Sequence, residues 1–325
     1  MSDSGEATAY WTVAPGQGEL RTASLRTREP DEVLVRALHS GISRGTELLV
    51  HAGRVPASIA DRMRAPFQDG EFPGPVKFGY LSVGEVEDGP DELIGRRVFC
   101  LFPHQDRYVV PVAAVIELPN GVPPRRAALT GAVETAVNGL WDAAPRIGDR
   151  VAVVGAGMVG CSVAALLGRF PLDRLELVDV DRSRAEVADR LGVRLVDPAQ
   201  AAEECDLVVH ASGTSAGLAR SLELLGDEGE VIELSWYGTD DVTVPLGAAF
   251  HPRRLTVRAS QVGEVSAARR ARRSHRDRLL LALDLLRDDR FDALITGSSP
   301  FAELPDVMRR IASGEQPALC HVIDY

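Results

Sequence analysis

The chain has 325 residues, of which 45% are hydrophobic and 26% are charged, and this length suits about two domains of an ordinary globular protein. Its formal net charge of −11 argues against a nucleic-acid partner, because such binding depends on cations that face phosphates. No apolar run approaches the roughly 18–20 residues that cross a bilayer, and the start, MSDSGEATAYWTV, lacks the features of a secretory signal. We therefore expect a cytoplasmic protein with no membrane partner.

The first third of the chain reads as short strands separated by glycine and proline turns. The clearest are EVLVRAL (32–38), LSVGEVE (81–87), RRVFCLF (96–102) and RYVVP (107–111). The polar segment 57–75 contains several Pro and Gly residues, and we expect a loop or lid there. This third of the chain predicts a compact, β-rich domain.

From about residue 123 the pattern changes to alternating helices and strands. A helical stretch, PPRRAALTGAVETAVNGLWDAA, precedes apolar strands such as RVAVVG, RLELVDV and DLVVHAS, with helices between them. Apolar strands that alternate with helices indicate a parallel sheet covered on both faces. The last strands resemble the first third. We therefore predict an α/β protein with a β-rich domain at 1–122 and 288–325 and a doubly wound domain at 123–287.

A glycine-rich turn marks a dinucleotide site. GAGMVG places Gly155, Gly157 and Gly160 between an apolar strand and a helix that opens with Met158 and Val159. The glycines permit a tight turn, close approach of a diphosphate and close packing of helix on strand.

The next strand of the predicted domain ends at Asp179, where the fingerprint expects an acid that binds the adenosine ribose. The carboxylate would oppose a 2′-phosphate, which favours NAD(H) over NADP(H). Arg182 and Arg184 lie close by and weaken that preference, and Arg184 is itself a candidate cofactor contact.

Small polar residues follow three further strands, in HASG (210–213), SWYG (235–238) and SQVG (260–263). In open α/β sheets the ligand lies at the carboxyl ends of the strands. We therefore add Ala211, Ser212, Gly213 and Ser235 to the predicted cofactor site.

This order of parts, together with GDRVAVVGAG and SGISRGTE, resembles the medium-chain dehydrogenase/reductase superfamily over nearly the whole chain. SGISRGTE is most similar to the branch of zinc-type alcohol dehydrogenase homologues that includes bacteriochlorophyllide dehydrogenase. The resemblance implies a GroES-like catalytic domain, a Rossmann domain and a homodimer.

The zinc ligands of that superfamily are replaced here. Zinc-using members carry a cysteine at the position of Ser43 and a GHE element where this chain has Gly79, Tyr80 and Leu81, and the lobe with four clustered cysteines is missing after RRVFCLF. Serine and tyrosine hydroxyls hold their protons too tightly to be good zinc ligands at neutral pH. We predict no zinc; a weaker metal route through Cys100, His104 or Glu134 stays open.

Without a metal, positioned donors must stabilise the negative charge that develops on a carbonyl oxygen during hydride transfer. Tyr80 is the first candidate, and its alternative role is to fill the vacated space. Ser43 and Thr46 could continue a proton relay to His51, which could equally be a surface residue.

Two charged neighbours complete this turn. Arg44 follows the ligand-like position, where relatives often place a diphosphate contact; a surface salt bridge is its alternative. Glu47 could brace the turn.

The predicted substrate pocket contains residues from separate segments. His104 and Asp106 lie in the shortened loop, where they could face the substrate or cap the loop. Glu134 lies within an apolar helix, and a buried carboxylate there would need a partner. Trp236 and Tyr237 follow a strand end and could wall the substrate or the nicotinamide.

The sequence thus predicts an NAD(H)-dependent, zinc-independent oxidoreductase that acts on a small-molecule secondary alcohol or ketone. Two alternatives remain: a metal-free enone or quinone reductase that uses NAD(P)H, and a dinucleotide-binding protein without catalysis.

Overall fold

The computed structural model describes residues 5–325, which divide into two compact units. Unit 1 comprises the described residues up to Gly131 together with Ile295–Tyr325, and unit 2 is Ala132–Leu294. The predicted return of the chain to its first unit is therefore present.

The boundaries lie a few residues beyond the predicted ones, at 131/132 and 294/295 rather than 122/123 and 287/288. The reason is packing. The helix α2 (Pro124–Ala127) packs on strands of unit 1, and the 3-10 helix Asp289–Leu294 packs on helices of unit 2.

Unit 1 is rich in β-structure, as predicted. Its strands are β1 (Glu6–Ala14), β2 (Gln17–Ser24), β3 (Glu32–Ser43), β4 (Asp69–Gly70), β5 (Val76–Lys77), β6 (Ser82–Asp88), β7 (Arg97–Cys100), β8 (Arg107–Pro111), β9 (Val115–Glu117), β16 (Ile295–Pro300) and β17 (Cys320–Asp324). Its helices besides α2 are α1 (Arg44–His51) and α8 (Leu304–Ser313). One sheet has the order β2-β1-β5-β4 and the other β16-β17-β3-β6-β7-β9, with β8 also paired to β3.

The long strand β3 organises unit 1. It pairs antiparallel with β6, β8 and β17, so strands from both ends of the chain meet on it. Its residues Val33 and Val35 are fully buried in one apolar cluster, and Ile42 is buried in another beneath α8. Burial of each such side chain contributes roughly 1.5–3 kcal/mol. This packing fixes the end of β3, where Ser43 lies. The predicted loop at 57–75 contains two 3-10 turns and strand β4, which pairs with β5 directly after the loop.

Unit 2 is a doubly wound parallel sheet with helices, as predicted. Its strands are β10 (Arg150–Val154), β11 (Arg174–Val178), β12 (Arg194–Val196), β13 (Cys205–His210), β14 (Leu225–Glu233) and β15 (Thr256–Ala259). Its helices are α4 (Met158–Leu167), α5 (Ala185–Leu191), α6 (Ser215–Leu224) and α7 (His275–Leu285), and α3 (Thr130–Ala143) enters it from unit 1. The strand order is β12-β11-β10-β13-β14-β15, and every neighbouring pair is parallel.

The strand order reverses at β10. The chain runs outward from β10 through β11 to β12 and then returns to β13 on the other side of β10. In open parallel sheets, ligands bind in the crevice at the carboxyl ends of the strands where this reversal occurs. Gly155 follows β10 and Ala211 follows β13, so both lie at that crevice. Within residues 5–325, no helix has the combined length and apolarity of a membrane span.

Candidate active site

The turn between β3 and α1 brings Ser43 and Glu47 together. The Glu47 side chain, in the first turn of α1, folds back so that its Oε1 accepts a hydrogen bond from the Ser43 backbone amide at 2.7 Å. A carboxylate at a helix N-terminus is stabilised by the hydrogen bond and by the helix dipole. Glu47 therefore braces this turn, as expected from the sequence.

The Tyr80 phenol lies against Ser43. Its hydroxyl donates a hydrogen bond to Ser43 Oγ at 2.7 Å. Burial raises the pKa of Tyr80 to about 12, the Glu47 carboxylate contributes in the same direction, and hydrogen bonds with Ser43 and Thr46 offset only part of the rise. Tyr80 thus keeps its proton at neutral pH and donates it in a hydrogen bond to Ser43 Oγ, so the hydroxyl that can donate onward is that of Ser43.

His104 does not face a substrate as predicted, because both of its ring nitrogens have protein partners. Nε2 lies 2.8 Å from Glu47 Oε2, and Nδ1 lies 2.6 Å from Ser40 Oγ. The residue is 1% exposed. Its neighbour Asp106 holds the adjoining strand, since its Oδ1 accepts from the Thr8 amide at 2.8 Å. His104 and Glu47 therefore form a buried pair behind Ser43.

His51 is buried, so it is not the surface residue that the sequence left open. Its Nδ1 lies 3.1 Å from the Tyr10 hydroxyl, and burial lowers the pKa of the imidazole. The hydrogen bonds described for residues 5–325 join His51 to Tyr10 and not to Ser43 or Thr46. The predicted relay from Ser43 and Thr46 to His51 is absent from this arrangement.

Arg44 is an exposed cation at the start of α1. Within the described part of the chain, its guanidinium has no ion-pair partner. The alternative of a surface salt bridge is therefore not realised, and the side chain stays available for an anion.

In unit 2 the three glycines have distinct geometries. Gly155 has φ +109°, a region that side chains disfavour. A Cβ at Gly160 would lie 1.8 Å from the Gly155 carbonyl oxygen, so the close packing of helix on turn requires glycine there. A Cβ at Gly157 would meet nothing within 4 Å, because the space in front of α4 is open. Met158, which is buried, and Val159 form the first turn of that helix. This open N-terminus fits a diphosphate.

Asp179 follows β11 and braces the glycine turn. Its Oδ2 accepts from the Ala156 amide at 2.6 Å and its Oδ1 from the Asp181 amide at 2.8 Å. Each carboxylate oxygen retains a second lone pair for a ribose hydroxyl. Arg184, predicted to contact the cofactor, is paired with Asp181 at 3.1 Å, whereas Arg182 is 81% exposed and lies 3.6 Å from Asp197.

Ser212 and Ser235 follow β13 and β14 and belong to one polar cluster. Ser235 Oγ accepts from the Gly213 amide at 3.1 Å, and Ser212 Oγ lies 2.6 Å from His210 Nε2. The Ala211 amide donates to the Val154 carbonyl at 2.8 Å, which ties this turn to the end of β10. The predicted serines are therefore brought together beside the glycine turn.

His210 and Glu233 are the residues that sequence reasoning missed. They are paired in register as the last residues of β13 and β14, and His210 Nδ1 lies 2.7 Å from Glu233 Oε2. A signal was present, since a histidine and a glutamate end two otherwise apolar strands, in LVVH and VIE. Titratable groups at the carboxyl ends of parallel strands are candidates for ligand binding.

Comparison with curated proteins gives similarity to dehydrogenases and reductases. The chain is 28% identical to 2-desacetyl-2-hydroxyethyl bacteriochlorophyllide A dehydrogenase from Cereibacter sphaeroides, over 81% of this chain and 85% of that one. It is 25% identical to D-xylulose reductase A from Aspergillus oryzae, over 54% of each chain, so it matches only about half the length of that relative. No protein-family model matches the chain.

The fold matches solved dehydrogenases over almost the whole chain. L-idonate 5-dehydrogenase from Escherichia coli aligns with a TM-score of 0.80 at 14% identity, covering 99% of each chain. A short chain alcohol dehydrogenase from E. coli CFT073, solved with NADH, aligns with a TM-score of 0.78 at 16% identity, covering 99% of this chain and 100% of that one.

In sequence and in fold, the chain is similar to oxidoreductases of the medium-chain dehydrogenase/reductase superfamily. Unit 1 has the GroES-like fold and unit 2 the Rossmann fold of these similar proteins.

Two hydroxyl side chains stand at the positions where similar zinc-type dehydrogenases have metal ligands. Ser43 and Tyr80, which stand there, are hydrogen-bonded to each other, and the pKa of Tyr80 is about 12. A side chain binds zinc through a deprotonated sulfur or oxygen atom, or through the free lone pair of a histidine nitrogen. Among residues 5–325, no group of three or more His, Cys, Asp and Glu side chains is arranged to hold a metal ion.

The three predicted pocket residues in unit 2 have different environments. Glu134 is buried and paired with Arg278 at 3.0 Å, so the prediction that it lines the substrate pocket is corrected to a structural ion pair. Tyr237 donates to Glu233 Oε2 at 2.9 Å. Trp236 Nε1 is buried and has no hydrogen-bond partner among the described residues, so a ligand acceptor would satisfy it.

Proposed function

We propose that the protein is an NAD(H)-dependent oxidoreductase that interconverts a secondary alcohol and a ketone, with hydroxyl groups in place of zinc. The observation that carries this proposal is the hydrogen bond from Tyr80 to Ser43, at the two positions where zinc-using relatives have metal ligands. The names of the relatives agree with the substrate class. One specifies a hydroxyethyl group and another the reduction of a ketose, xylulose.

When bound, NADH would supply the hydride in the reductive direction. The protein's part is to bind the carbonyl oxygen and to deliver a proton to it. Ser43 donates its hydroxyl hydrogen to the oxygen as negative charge develops there, and Tyr80 replaces that hydrogen through the existing bond. Solvent water then returns a proton to the phenol oxygen of Tyr80, a residue that is partly exposed. A phenol with a pKa of about 12 still releases its proton to a much more basic alkoxide. Such positioned donors are worth about 10²–10³-fold in kcat.

The preference for NAD(H) over NADP(H) rests on Asp179. Its two backbone hydrogen bonds hold the carboxylate at the end of β11, where it would meet the adenosine ribose. A 2′-phosphate would face this negative charge, and Arg184, which could offset it, is engaged by Asp181. Arg44, exposed and without an ion-pair partner in the described residues, would neutralise part of the diphosphate charge.

The experiment is a NADH-oxidation assay on chelator-treated, metal-analysed protein with a panel of ketones, conjugated enones and quinones. The proposal expects turnover with ketones, a preference for NADH over NADPH, and no stoichiometric zinc. Turnover confined to enones or quinones would replace it with a C=C or quinone reductase. Tight NADH binding without any turnover would make the protein a dinucleotide-binding protein.

We also propose a homodimer. Strand β15 lies at one end of the strand order of unit 2, and each residue of Thr256–Ala259 is exposed. An exposed edge strand offers unpaired backbone groups to another strand. Light scattering coupled to size-exclusion chromatography tests this; a mass of one chain at micromolar concentration would reject it.

A further inference from the structure

Unit 2 contains an open, largely apolar cavity that the proposed mechanism does not use. Its volume is about 490 Å³, which falls within the range of small-molecule sites, about 300–1,000 Å³. Side chains of α3, α4 and α7 line it, and three of them, Val137, Leu140 and Leu166, are buried. A concave apolar surface of this size can enclose much of a small molecule.

The cavity is separate from the predicted cofactor site. The glycine turn precedes Met158, the first residue of α4, whereas the cavity is lined by Leu166 near the end of that helix and by Phe170 beyond it. At a rise of about 1.5 Å per residue, Met158 and Leu166 are about 12 Å apart along the helix. Neither Ser43 nor Tyr80 lines the cavity. A ligand in this cavity would therefore occupy a second site.

Two large apolar side chains of the lining remain accessible to solvent. Phe170 is 40% exposed and Leu281 is 39% exposed. Single apolar residues on a surface need no explanation, but these two belong to one surface with the buried lining residues. Covering them would remove apolar surface from water, which is favourable. The cavity therefore suits the apolar part of a ligand.

The charged side chains of the lining are both cationic. They are Arg169 and Arg269, and the lining contains no carboxylate. Arg169 is paired with Asp288, whereas Arg269 is exposed and has no ion-pair partner in the described part of the chain. Because the whole chain has a net charge of −11, a cavity lined by cations alone is a local exception, and it favours an anionic group.

We propose that this cavity binds a free amphipathic carboxylate, whose apolar chain lies against Phe170 and Leu281 and whose carboxylate is bound by Arg269. The net charge of −11 opposes approach to an anionic membrane, and a concave cavity fits one small molecule better than it fits a lipid surface. The inference is independent of the proposed function, because it concerns binding at a second site.

The apolar contact is tested by calorimetry with three straight-chain acids, hexanoate, heptanoate and octanoate. Each added methylene should lower the Kd about three- to fourfold, because a further methylene is buried. A Kd that stays constant along the series would overturn the proposal. A chain of the same length without a charge, 1-octanol, is the companion probe for the role of the carboxylate.

Arg269→Gln tests the carboxylate contact. It should weaken octanoate binding about tenfold and leave 1-octanol binding unchanged, because only octanoate carries a charge for Arg269 to bind. Arg272→Gln is the matched control, since Arg272 is another exposed arginine of the same basic run, ARRARRSHRDR (268–278), and does not line the cavity. It should change neither affinity. Equal octanoate affinity in Arg269→Gln and in wild-type protein would overturn the proposed carboxylate contact.

Leu281→Gln tests the location of the apolar chain. It should weaken octanoate and 1-octanol binding about three- to tenfold, because a polar amide replaces part of the apolar lining. Leu280→Gln changes the neighbouring residue of α7, which is 42% exposed and does not line the cavity, and it should change neither affinity. All four substituted side chains are exposed, so each variant should keep its fold, which circular dichroism checks.

Four further results would overturn the proposal. Wild-type protein that binds no alkanoate has no such site, and octanoate binding that Leu281→Gln leaves intact lies elsewhere in the protein. Sedimentation with phosphatidylglycerol vesicles, without binding of free octanoate, would make this face a lipid-binding surface. A dimer that Leu281→Gln dissociates would assign the face to a second copy of the chain. NADH titration of the same samples tests the proposed function separately, so the two proposals can fail independently.

Discussion

Tyr80 donates its phenolic hydrogen to Ser43 Oγ across 2.7 Å, at the end of β3. The direction of this hydrogen bond leaves the Ser43 hydroxyl hydrogen available to a substrate oxygen, while the Tyr80 hydroxyl donates to Ser43. The buried Glu47–His104 pair lies behind them, because Glu47 bonds the Ser43 amide with one oxygen and His104 with the other. These two hydroxyls can thus present a fixed hydrogen-bond donor to a carbonyl oxygen.

The order of the two hydroxyls predicts unequal losses of turnover. Ser43→Ala removes the direct donor and should lower kcat about 10²–10³-fold, whereas Tyr80→Phe should lower it about 10–100-fold because Ser43 can still donate. Steady-state assays give kcat, and fluorescence titration should give an unchanged Kd for NADH in both. Tyr108→Phe, which removes another buried phenol hydroxyl of unit 1, should keep its turnover. A larger loss for Tyr80→Phe than for Ser43→Ala would reverse the proposed order.

Asp179→Asn should relax the cofactor preference. The amide can still accept a backbone hydrogen bond, but the negative charge that opposes a 2′-phosphate is lost. We expect the ratio of kcat/KM for NADPH to that for NADH to rise about 10–100-fold, because the repulsion between the carboxylate and the 2′-phosphate is removed. Asp189→Asn, on the exposed face of α5, removes the same charge away from the crevice and should leave the ratio unchanged. An unchanged ratio in Asp179→Asn would remove its assigned role.

His51→Gln should change stability and not turnover. Burial lowers the pKa of His51 below that of an unfolded histidine, about 6.5. The unfolded chain therefore binds this proton first, and the stability that neutral His51 contributes is present above about pH 6.5 and lost as the pH falls below it. Urea unfolding at several pH values should show a weaker acid-side loss in His51→Gln than in the wild type. A large fall in kcat at neutral pH would instead restore the relay role.

Glu134→Gln should destabilise unit 2 by about 3–5 kcal/mol, because it leaves the Arg278 charge buried without its counter-ion. Glu223→Gln disrupts an exposed pair with Arg220 and should cost about 0–1 kcal/mol. Chemical unfolding measures both. The activity per folded molecule should be unchanged in Glu134→Gln, and a specific loss of substrate affinity would place Glu134 back in the substrate pocket.

The sequence predicts best what is local. The glycine turn, Asp179 and the alternation of strands and helices are readable because their residues lie close together in sequence and have fixed spacings. The sequence also shows that Ser43 and Tyr80 stand where similar dehydrogenases have zinc ligands. It does not show the hydrogen bond between them, because it joins positions 37 residues apart.

Long-range partners explain what the sequence could not predict. His104 is paired with Glu47 across 57 residues and Glu134 with Arg278 across 144, so neither partner is visible in the local pattern. The sequence analysis places His104 near the substrate because it lies in the shortened loop, and Glu134 because it lies within an apolar helix. In the folded chain each of these two side chains instead bonds to another protein side chain.

We propose that two hydroxyls, and not a metal, serve the carbonyl oxygen. The most direct test of this proposal is the rate of ketone-dependent NADH oxidation by protein whose metal content has been brought to zero by chelation and verified by mass spectrometry. We expect an undiminished rate of NADH oxidation that added zinc does not increase. A rate that vanishes on chelation and returns with one equivalent of zinc would contradict it.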